Sequence, residues 1–282
     1  MPRRTEPTPA ALLPALRTHA WFASCPPALQ EALLERSRLV HLSAKEALFG
    51  RDDGLDSLCC VVAGALRLGS INPQDGTHRL TLYVEPYQWF GEVSLIDRLP
   101  RAMQAVADTH SVVMVVARAA IEEWLDAHPL HWRDVARLAC SKLRLMTATL
   151  EDSASLTLQQ RLARRLLFAS VNPGQGAPAG LRRRVRLPQD HLAQMLGVSR
   201  QTVNKALREL ERQGVLALHY AEIEVLQVEG LMQRAGALEP QWSAVLAEAG
   251  AWGAGAHPGQ ASASAARAHA NLSGGPTGFG SG

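Results

Sequence analysis

Long polar side chains recur within residues 200–205 at spacings that place them on one outer face of a helix: Arg200, Gln201, Asn204 and Lys205. An arginine can donate two hydrogen bonds to guanine O6 and N7, and a glutamine amide matches adenine N6 and N7. Lys205 can reach a guanine or a phosphate. This set favours hydrogen bonding to base edges in a major groove.

The neighbouring residues predict the element that must present this set, a helix-turn-helix. Gly197 supplies the turn, and the small Ala193 four residues earlier lets the second helix approach closely. Ser199 is a good N-cap for that second helix. Val203 and Leu207 are an apolar i, i+4 pair that should face inward, so the polar set is left on the outer face.

The surrounding segment carries much of the positive charge. Residues 161–212 hold eleven Lys and Arg against three acids, a net +8, which leaves −5 for the rest of a chain whose total is +3. A basic unit joined to an acidic one favours a polyanion, with nucleic acid first. Ser199, Thr202 and Arg208 are expected to contact phosphate. The arginine-rich run 182–186 is either a further phosphate contact or a solvated loop.

Upstream of the basic segment, the apolar pattern is that of short strands. Turn residues separate apolar stretches at 58–63, 65–68, 80–84, 105–107 and 112–116. Many short strands at near-regular spacing predict a sandwich, roll or barrel.

From residue 119 to about 150 the period changes to that of a helix, with a break near Pro129. A narrow seam recurs at spacings of four and three: Trp132, Ala136, Ala139, Leu143, Met146 and Leu150. Such a seam is typical of a coiled coil, whereas a helix that packs on its own core carries a wider stripe. We therefore predict a homodimer, with packing on the chain's own core as the alternative.

Two phrases carry a family resemblance. Residues 198–203, Val-Ser-Arg-Gln-Thr-Val, resemble the start of the recognition helix in the Crp/Fnr superfamily of bacterial transcription regulators. Residues 90–95, Phe-Gly-Glu-Val-Ser-Leu, followed by Pro100 and Arg101, resemble its phosphate-binding cassette. The resemblance covers roughly residues 21–230.

This resemblance implies an α+β fold: an N-terminal cyclic-nucleotide-binding-like β-roll, a long dimerisation helix and a C-terminal winged helix-turn-helix. It also implies that an effector in the roll changes how two winged helices are presented to DNA. Activation through RNA polymerase is implied, and repression by blocking a promoter is equally open. By the same resemblance Arg200, Gln201 and Lys205 are the base-reading positions. Many relatives carry an acid in place of Gln201 and arginine in place of Lys205, so we expect a shifted half-site.

The implied effector site comprises Gly91, Glu92, Arg101, Ala102 and Thr147. In a cyclic-nucleotide roll the arginine neutralises the cyclic phosphate, the glutamate accepts from the ribose 2′-hydroxyl, and Thr147 would meet the purine. Ala102 stands where cyclic-AMP-binding members carry Ser or Thr, and a charge-assisted hydrogen bond of that kind contributes about 1.5–3 kcal/mol. Cyclic AMP or another cyclic nucleotide, a different small ligand, and no ligand with a buried Glu92–Arg101 pair all remain open.

The four cysteines, Cys25, Cys59, Cys60 and Cys140, are too few for a disulfide scaffold and lack metal-ligand spacing. Cys59 and Cys60 would point to opposite faces of a strand. An iron–sulfur cluster needs several N-terminal cysteines, so none is expected. We predict ordinary packing for all four and no metal site.

Other protein classes fit poorly. No apolar run approaches the roughly 20 residues that a membrane helix needs, and residues 1–10 lack the apolar segment of a secretory signal. We therefore expect a cytoplasmic protein with no membrane partner. The sequence supplies no nucleophile–base pair, P-loop or metal triad with specific spacing, so we do not expect an enzyme.

These observations predict five regions: a flexible leader (1–20) with several prolines, a β-roll (21–127), a coiled-coil helix (128–153), a winged helix-turn-helix (154–230) and a mostly disordered Gly/Ala-rich tail (231–282). The predicted function is a sequence-specific regulator that binds double-stranded, pseudo-palindromic DNA. The alternative is a ligand-binding regulatory module that does not touch DNA, which would leave the basic segment unexplained.

Overall fold

The computed structural model describes residues 8–51, 53, 57–72, 74, 78–170, 184–219 and 222–238. The helices are α1 (Leu13–Leu16), α2 (Ala20–Ser24), α3 (Pro27–Glu35), α4 (Glu92–Asp97), α5 (Arg118–Ala127), α6 (Trp132–Ser155), α7 (Leu158–Ser170), α8 (Gln189–Leu196), α9 (Arg200–Arg212) and α10 (Val228–Ala235). The strands are β1 (Ser37–Leu42), β2 (Ala47–Phe49), β3 (Ser57–Ala63), β4 (Leu66–Ile71), β5 (His78–Val84), β6 (Trp89–Phe90), β7 (Gln104–Ala107), β8 (Ser111–Ala117), β9 (Arg184–Val185), β10 (Leu216–His219) and β11 (Glu222–Val225).

Two antiparallel four-stranded sheets form the roll, in the orders β1-β8-β3-β6 and β2-β7-β4-β5. Two consecutive cysteines on β3 lie in the two different apolar layers of the roll. Cys59 packs with Phe90 between the sheets, while Cys60 packs with Trp89 beneath α2, α3 and α5. The prediction that these side chains point to opposite faces is therefore confirmed.

The prediction of a flexible leader over residues 1–20 is wrong from Pro9 onward. A 3-10 helix, Pro9–Leu12, runs directly into α1, and both Leu12 and Leu16 are buried. Pro9 and Pro14 lie in the first turns of these elements, where a proline starts a helix instead of breaking it. Residues 1–7 lie outside the described ranges.

The expected β domain also contains helices that the sequence pattern did not reveal, namely α2, α3 and α4. α3 buries Leu29 and Leu33 with no exposed surface. These helices cover one face of the first sheet, so the roll is a mixed helix and strand unit.

The two sides of the long helix α6 differ in burial. Val135 and Leu138 are buried in the roll's outer core. On the seam, Trp132, Ala136 and Ala139 are half-buried. Further along the same seam the side chains are open to solvent: Leu143 is 65% exposed, Met146 46% and Leu150 71%. The helix begins at Trp132 after a short 3-10 turn, Pro129–His131, and ends at Ser155, slightly beyond the expected 128–153.

The C-terminal unit joins α7–α10 to a three-stranded sheet of order β10-β11-β9. Its boundary lies beyond residue 230, because Leu231 and Ala235 of α10 are fully buried in its core. Leu238 also packs against that core. The prediction of a tail from residue 231 is therefore wrong for its first residues, while 239–282 lie outside the described residues.

Candidate nucleic-acid interface and effector site

A turn and a cap set the start of α9. Gly197 adopts φ +67°, a left-handed conformation that favours glycine. Ser199 precedes the helix, and its Oγ accepts a hydrogen bond of 3.1 Å from the Thr202 amide. The predicted turn and N-cap are both confirmed. They fix where the polar side chains of α9 begin.

The two faces of α9 differ sharply. Val203, Leu207 and Leu210 are buried in the winged-helix core. The opposite face borders an open groove of about 550 Å³, lined by Gln201, Asn204, Lys205, Arg208, Glu209 and Arg212. A helix held by its apolar face can thus present the polar set outward, which a recognition helix requires.

Polar groups on this surface already have partners within the chain. Arg200 Nε lies 3.3 Å from Asp190 Oδ1 of α8, with both side chains more than half exposed. Arg208 Nε donates to Asn204 Oδ1 at 3.1 Å. Exposed pairs of this kind contribute little to stability, so these arginines can turn towards an anion at small cost.

The three-stranded sheet β10-β11-β9, the wing of this unit, carries a similar arrangement of exposed ion pairs. Arg184 Nη1 lies 3.8 Å from Glu222 Oε2, and Arg186 Nε lies 3.7 Å from Glu222 Oε1. Both arginines are exposed, so in the described part of the run 182–186 the charges lie on a solvated surface and are partly balanced by an acid. Arg182 and Arg183 lie outside the described residues.

The small residue Gly91 lets the predicted cassette close tightly. It adopts φ +98°, and a Cβ there would collide with the Ser57 carbonyl oxygen and with Arg101 Nη1. The buried Arg101 donates from Nη2 to the Ser57 carbonyl at 2.5 Å and to Ser57 Oγ at 3.1 Å. Its Nη1 donates to the Gly91 carbonyl at 3.3 Å, and its guanidinium carbon lies 4.4 Å from the centre of the Phe49 ring. The guanidinium is therefore held by protein groups on several sides.

Glu92 connects the cassette to the long helix. Its side chain is 3% exposed, and Lys142 Nζ of α6 donates to its Oε2 at 2.6 Å. Burial lowers the pKa of Lys142, and the Glu92 carboxylate opposes that shift. Sequence reasoning missed Lys142 because the residue lies off the seam. The available signal was a cation on the side of the helix that faces the roll.

The remaining predicted effector residues lie further out. Ala102 is exposed. Thr147 is exposed too, and its Oγ1 donates to the Leu143 carbonyl of its own helix at 3.0 Å. The structure thus joins Gly91, Glu92 and Arg101 in the cassette, and it places Thr147 beside the open seam.

The cysteines pack as predicted at Cys25, Cys59 and Cys60, which are buried, whereas Cys140 is exposed on α6. Burial raises the pKa of the three buried thiols. Within the described ranges, no three His, Cys, Asp or Glu side chains are grouped as a metal site would need. Among those same residues, no helix has the length and apolar character to cross a membrane.

Two family models match the chain. The cyclic nucleotide-binding domain covers residues 39–128, and the Crp-like helix-turn-helix domain covers residues 160–234. Their positions coincide with the roll and with the C-terminal unit.

Curated relatives agree with these matches. The chain is 28% identical over 214 residues to the CRP-like cAMP-activated global transcriptional regulator of Mycobacterium tuberculosis, covering 76% of this chain and 95% of that protein. It is 28% identical over 237 residues to the HTH-type transcriptional regulator Cmr of the same organism, covering 78% of this chain and 89% of that protein.

Solved structures share the architecture. FixK2 from Bradyrhizobium japonicum superposes with a TM-score of 0.63 at 20% identity, over 72% of this chain and 99% of that one, which bears on the fold alone. A CRP-family transcriptional regulator from Thermus thermophilus superposes with a TM-score of 0.55 at 26% identity, over 70% and 97%. The predicted fold class is confirmed. The chain belongs to the Crp/Fnr superfamily of transcription regulators, with a cyclic nucleotide-binding domain followed by a Crp-like helix-turn-helix.

Proposed function

We propose that this regulator is a cytoplasmic homodimer that binds a pseudo-palindromic promoter site under the control of a small effector, and that it has no catalytic role. The proposal rests on one observation: the apolar face of α9 is buried, while its polar face lines an open groove. Contact with RNA polymerase during activation belongs to the same proposal.

The base-reading residues are Arg200, Gln201 and Lys205. All three are exposed in the first half of α9, the part of a recognition helix that meets base edges. Arg200 would exchange its exposed Asp190 partner for guanine O6 and N7. Gln201 would accept from adenine N6 and donate to N7. Each good bidentate contact discriminates by about 1–3 kcal/mol.

Ser199, Thr202 and Arg208 would contact phosphates and set the register of the helix on the duplex. The hydroxyls of Ser199 and Thr202 lie 2.8 Å apart at the exposed N-terminus of α9. The cations of the basic segment, Arg208 among them, would release counterions on binding phosphates, so binding should weaken steeply as salt rises.

The open stripe of α6 supports dimerisation. Leu143, Met146 and Leu150 are exposed leucine and methionine side chains at coiled-coil spacing on a helix whose other side already packs on the roll. A second copy laid against this stripe would bury it. A two-fold dimer then reads two half-sites about one helical turn apart.

The Glu92–Lys142 pair supports effector control, because it joins the cassette to the dimer helix. A ligand that engages Glu92 must share it with Lys142 or displace Lys142, and either event alters the environment of α6. An anionic group on Arg101 would likewise compete with the Ser57 and Gly91 carbonyls. Cyclic AMP is the first ligand to try, because a relative is described as cAMP-activated, although Ala102 supplies no hydroxyl.

The test is a selection of duplexes from a random library by the purified protein, with and without cyclic AMP, at two salt concentrations. Enrichment of one palindrome only with cyclic AMP supports both DNA reading and the nucleotide. Enrichment that is independent of cyclic AMP supports DNA reading and removes cyclic AMP as the effector. An absence of enrichment with and without cyclic AMP, together with no binding to random DNA at the lower salt concentration, would contradict the proposal and favour a regulatory module that does not touch DNA.

A further inference from the structure

The first helix of the helix-turn-helix rests on the edge of the roll. The backbone amide of Leu80, on the edge strand β5, donates to Gln194 Oε1 of α8 at 3.1 Å. From the same strand, the Tyr83 ring lies 5.0 Å from the His191 ring of α8 and packs against the winged-helix core. This contact joins the two units directly, apart from the long helix.

A small polar cluster lies inside the contact. Tyr83 donates from its hydroxyl to Asp108 Oδ2 at 3.0 Å, and Arg67 Nε lies 3.3 Å from Asp108 Oδ1. His191 Nε2 lies 3.7 Å from the same Oδ1, and the His191 side chain is 9% exposed. The Asp108 amide donates to the Ala65 carbonyl at 2.9 Å, so the roll holds this carboxylate in place.

The contact sets the direction of the recognition helix. α8 connects to α9 through the turn at Gly197, and the two helices share one core. When α8 is fixed on β5, the outward face of α9 is fixed relative to the roll as well.

We propose that Tyr83, Asp108, His191 and Gln194 form a latch that holds the winged helix against its own roll while His191 is neutral and releases it when His191 is protonated. Its consequence for DNA reading rests on the proposed function. The latch itself is a property of the chain without DNA.

The groups that face His191 determine whether the latch weakens at low or at high pH. Burial lowers its pKa below the usual 6.5, and the cation Arg67 lowers it further, while Asp108 and Asp190 of its own helix act in the opposite direction. Tyr83 stays neutral, because burial and Asp108 raise its pKa. The latched state therefore binds a proton more weakly than the released state. The latch is at full strength above pH 6.5 and weakens as the pH falls below that value.

The test measures a distance between the two units by pulsed electron spin resonance. Ala44→Cys on the roll and Glu229→Cys on α10 are exposed sites for spin labels, in a Cys140→Ser background where the other cysteines are buried. Excess unlabelled protein keeps distances between copies out of the signal. We expect one narrow distance at about pH 7.5 and loss of that component as the pH falls to about 5, at pH values where circular dichroism shows the protein folded.

Two variants assign the effect. His191→Phe keeps a ring against Tyr83 and His191→Gln keeps a polar side chain, and neither can be protonated. Each variant that shows the narrow distance at the higher pH should keep it at the lower pH. The control is His219→Gln, at an exposed histidine of the wing, which should lose the narrow distance on acidification as the unchanged protein does. A narrow distance at every pH in the unchanged protein would overturn the proposal, as would a broad one at the higher pH. Acid release that persists in His191→Phe would also overturn it. Because no DNA is present, failure of the latch and failure of DNA reading are separate results.

Discussion

Gln201 and Arg208 both lie on the exposed face of α9, yet the chemistry of their side chains predicts different roles. Gln201→Ala should remove discrimination of about 1–3 kcal/mol at one base position in each half-site. Arg208→Ala should weaken binding to all sequences alike and reduce the salt slope by about one. Competition binding with single-base duplex variants at several salt concentrations measures both. If Gln201→Ala left every base preference unchanged, Gln201 would have no reading role.

Lys142 supplies a second prediction at this scale. Lys142→Met leaves the Glu92 carboxylate buried without its ammonium partner, which should lower the free energy of unfolding by about 1–3 kcal/mol. Adding Glu92→Gln should recover part of that loss, because no buried charge then remains. Urea unfolding of the single and double variants measures the coupling between the two residues. Strictly additive losses would show that the pair does not stabilise the contact between α4 and α6.

Local chemistry decides which single residues could be predicted. Gly197, Ser199 and Gly91 are specified by their own turns and caps, so their types and neighbours suffice. Lys142 could not be found in that way. Its partner lies fifty residues away, and only the packing of α4 on α6 brings the two together.

Among the elements, the cap of α9 is the simplest to test. Ser199→Ala removes the side-chain acceptor of the Thr202 amide and should cost about 0.5–2 kcal/mol of stability. Ser199→Thr keeps a hydroxyl oxygen at that place and should lose much less. Chemical unfolding of both variants measures the difference. Equal stability of the alanine and threonine variants would mean that the cap does not stabilise α9.

The seam of α6 supplies the other prediction at this scale. Leu143→Glu places a charge in the middle of the open stripe and should convert a dimer to a monomer in sedimentation equilibrium. Arg144→Glu introduces the same residue one position along, off the seam, and should leave the dimer intact. A dimer that survives Leu143→Glu would place the interface elsewhere.

The elements that the sequence predicted are those with a distinct local pattern. β3, β5 and β8 are apolar stretches between turn residues, the helix-turn-helix has its turn glycine and cap, and α6 carries the heptad seam; each falls close to its expected place. β6 has two residues and α2 has five, too few for a pattern. Pro9 and Pro14 suggested a loose leader, but their first-turn positions and the burial of Leu16 produce ordered helix.

At the scale of the molecule, charge and period anticipated a strand-rich unit, a long helix with a coiled-coil seam and a basic C-terminal unit in that order, and the family resemblance implied that the first unit is a sensor. The docking of the units on one another was beyond sequence reasoning. The contact of His191 with Tyr83 and Asp108 joins residues far apart in the chain through surfaces that show no period of their own.

The most direct test of the central claim is methylation protection of guanine N7 on the selected duplex. Arg200 is proposed to bond guanine N7 in the major groove, once in each half-site. We predict two protected guanines related by the dyad, about one helical turn apart, and loss of both protections in Arg200→Ala. Protection that survives Arg200→Ala would contradict guanine reading by Arg200, and an absence of symmetric protection on DNA that the protein binds would contradict a dimer that reads DNA with α9.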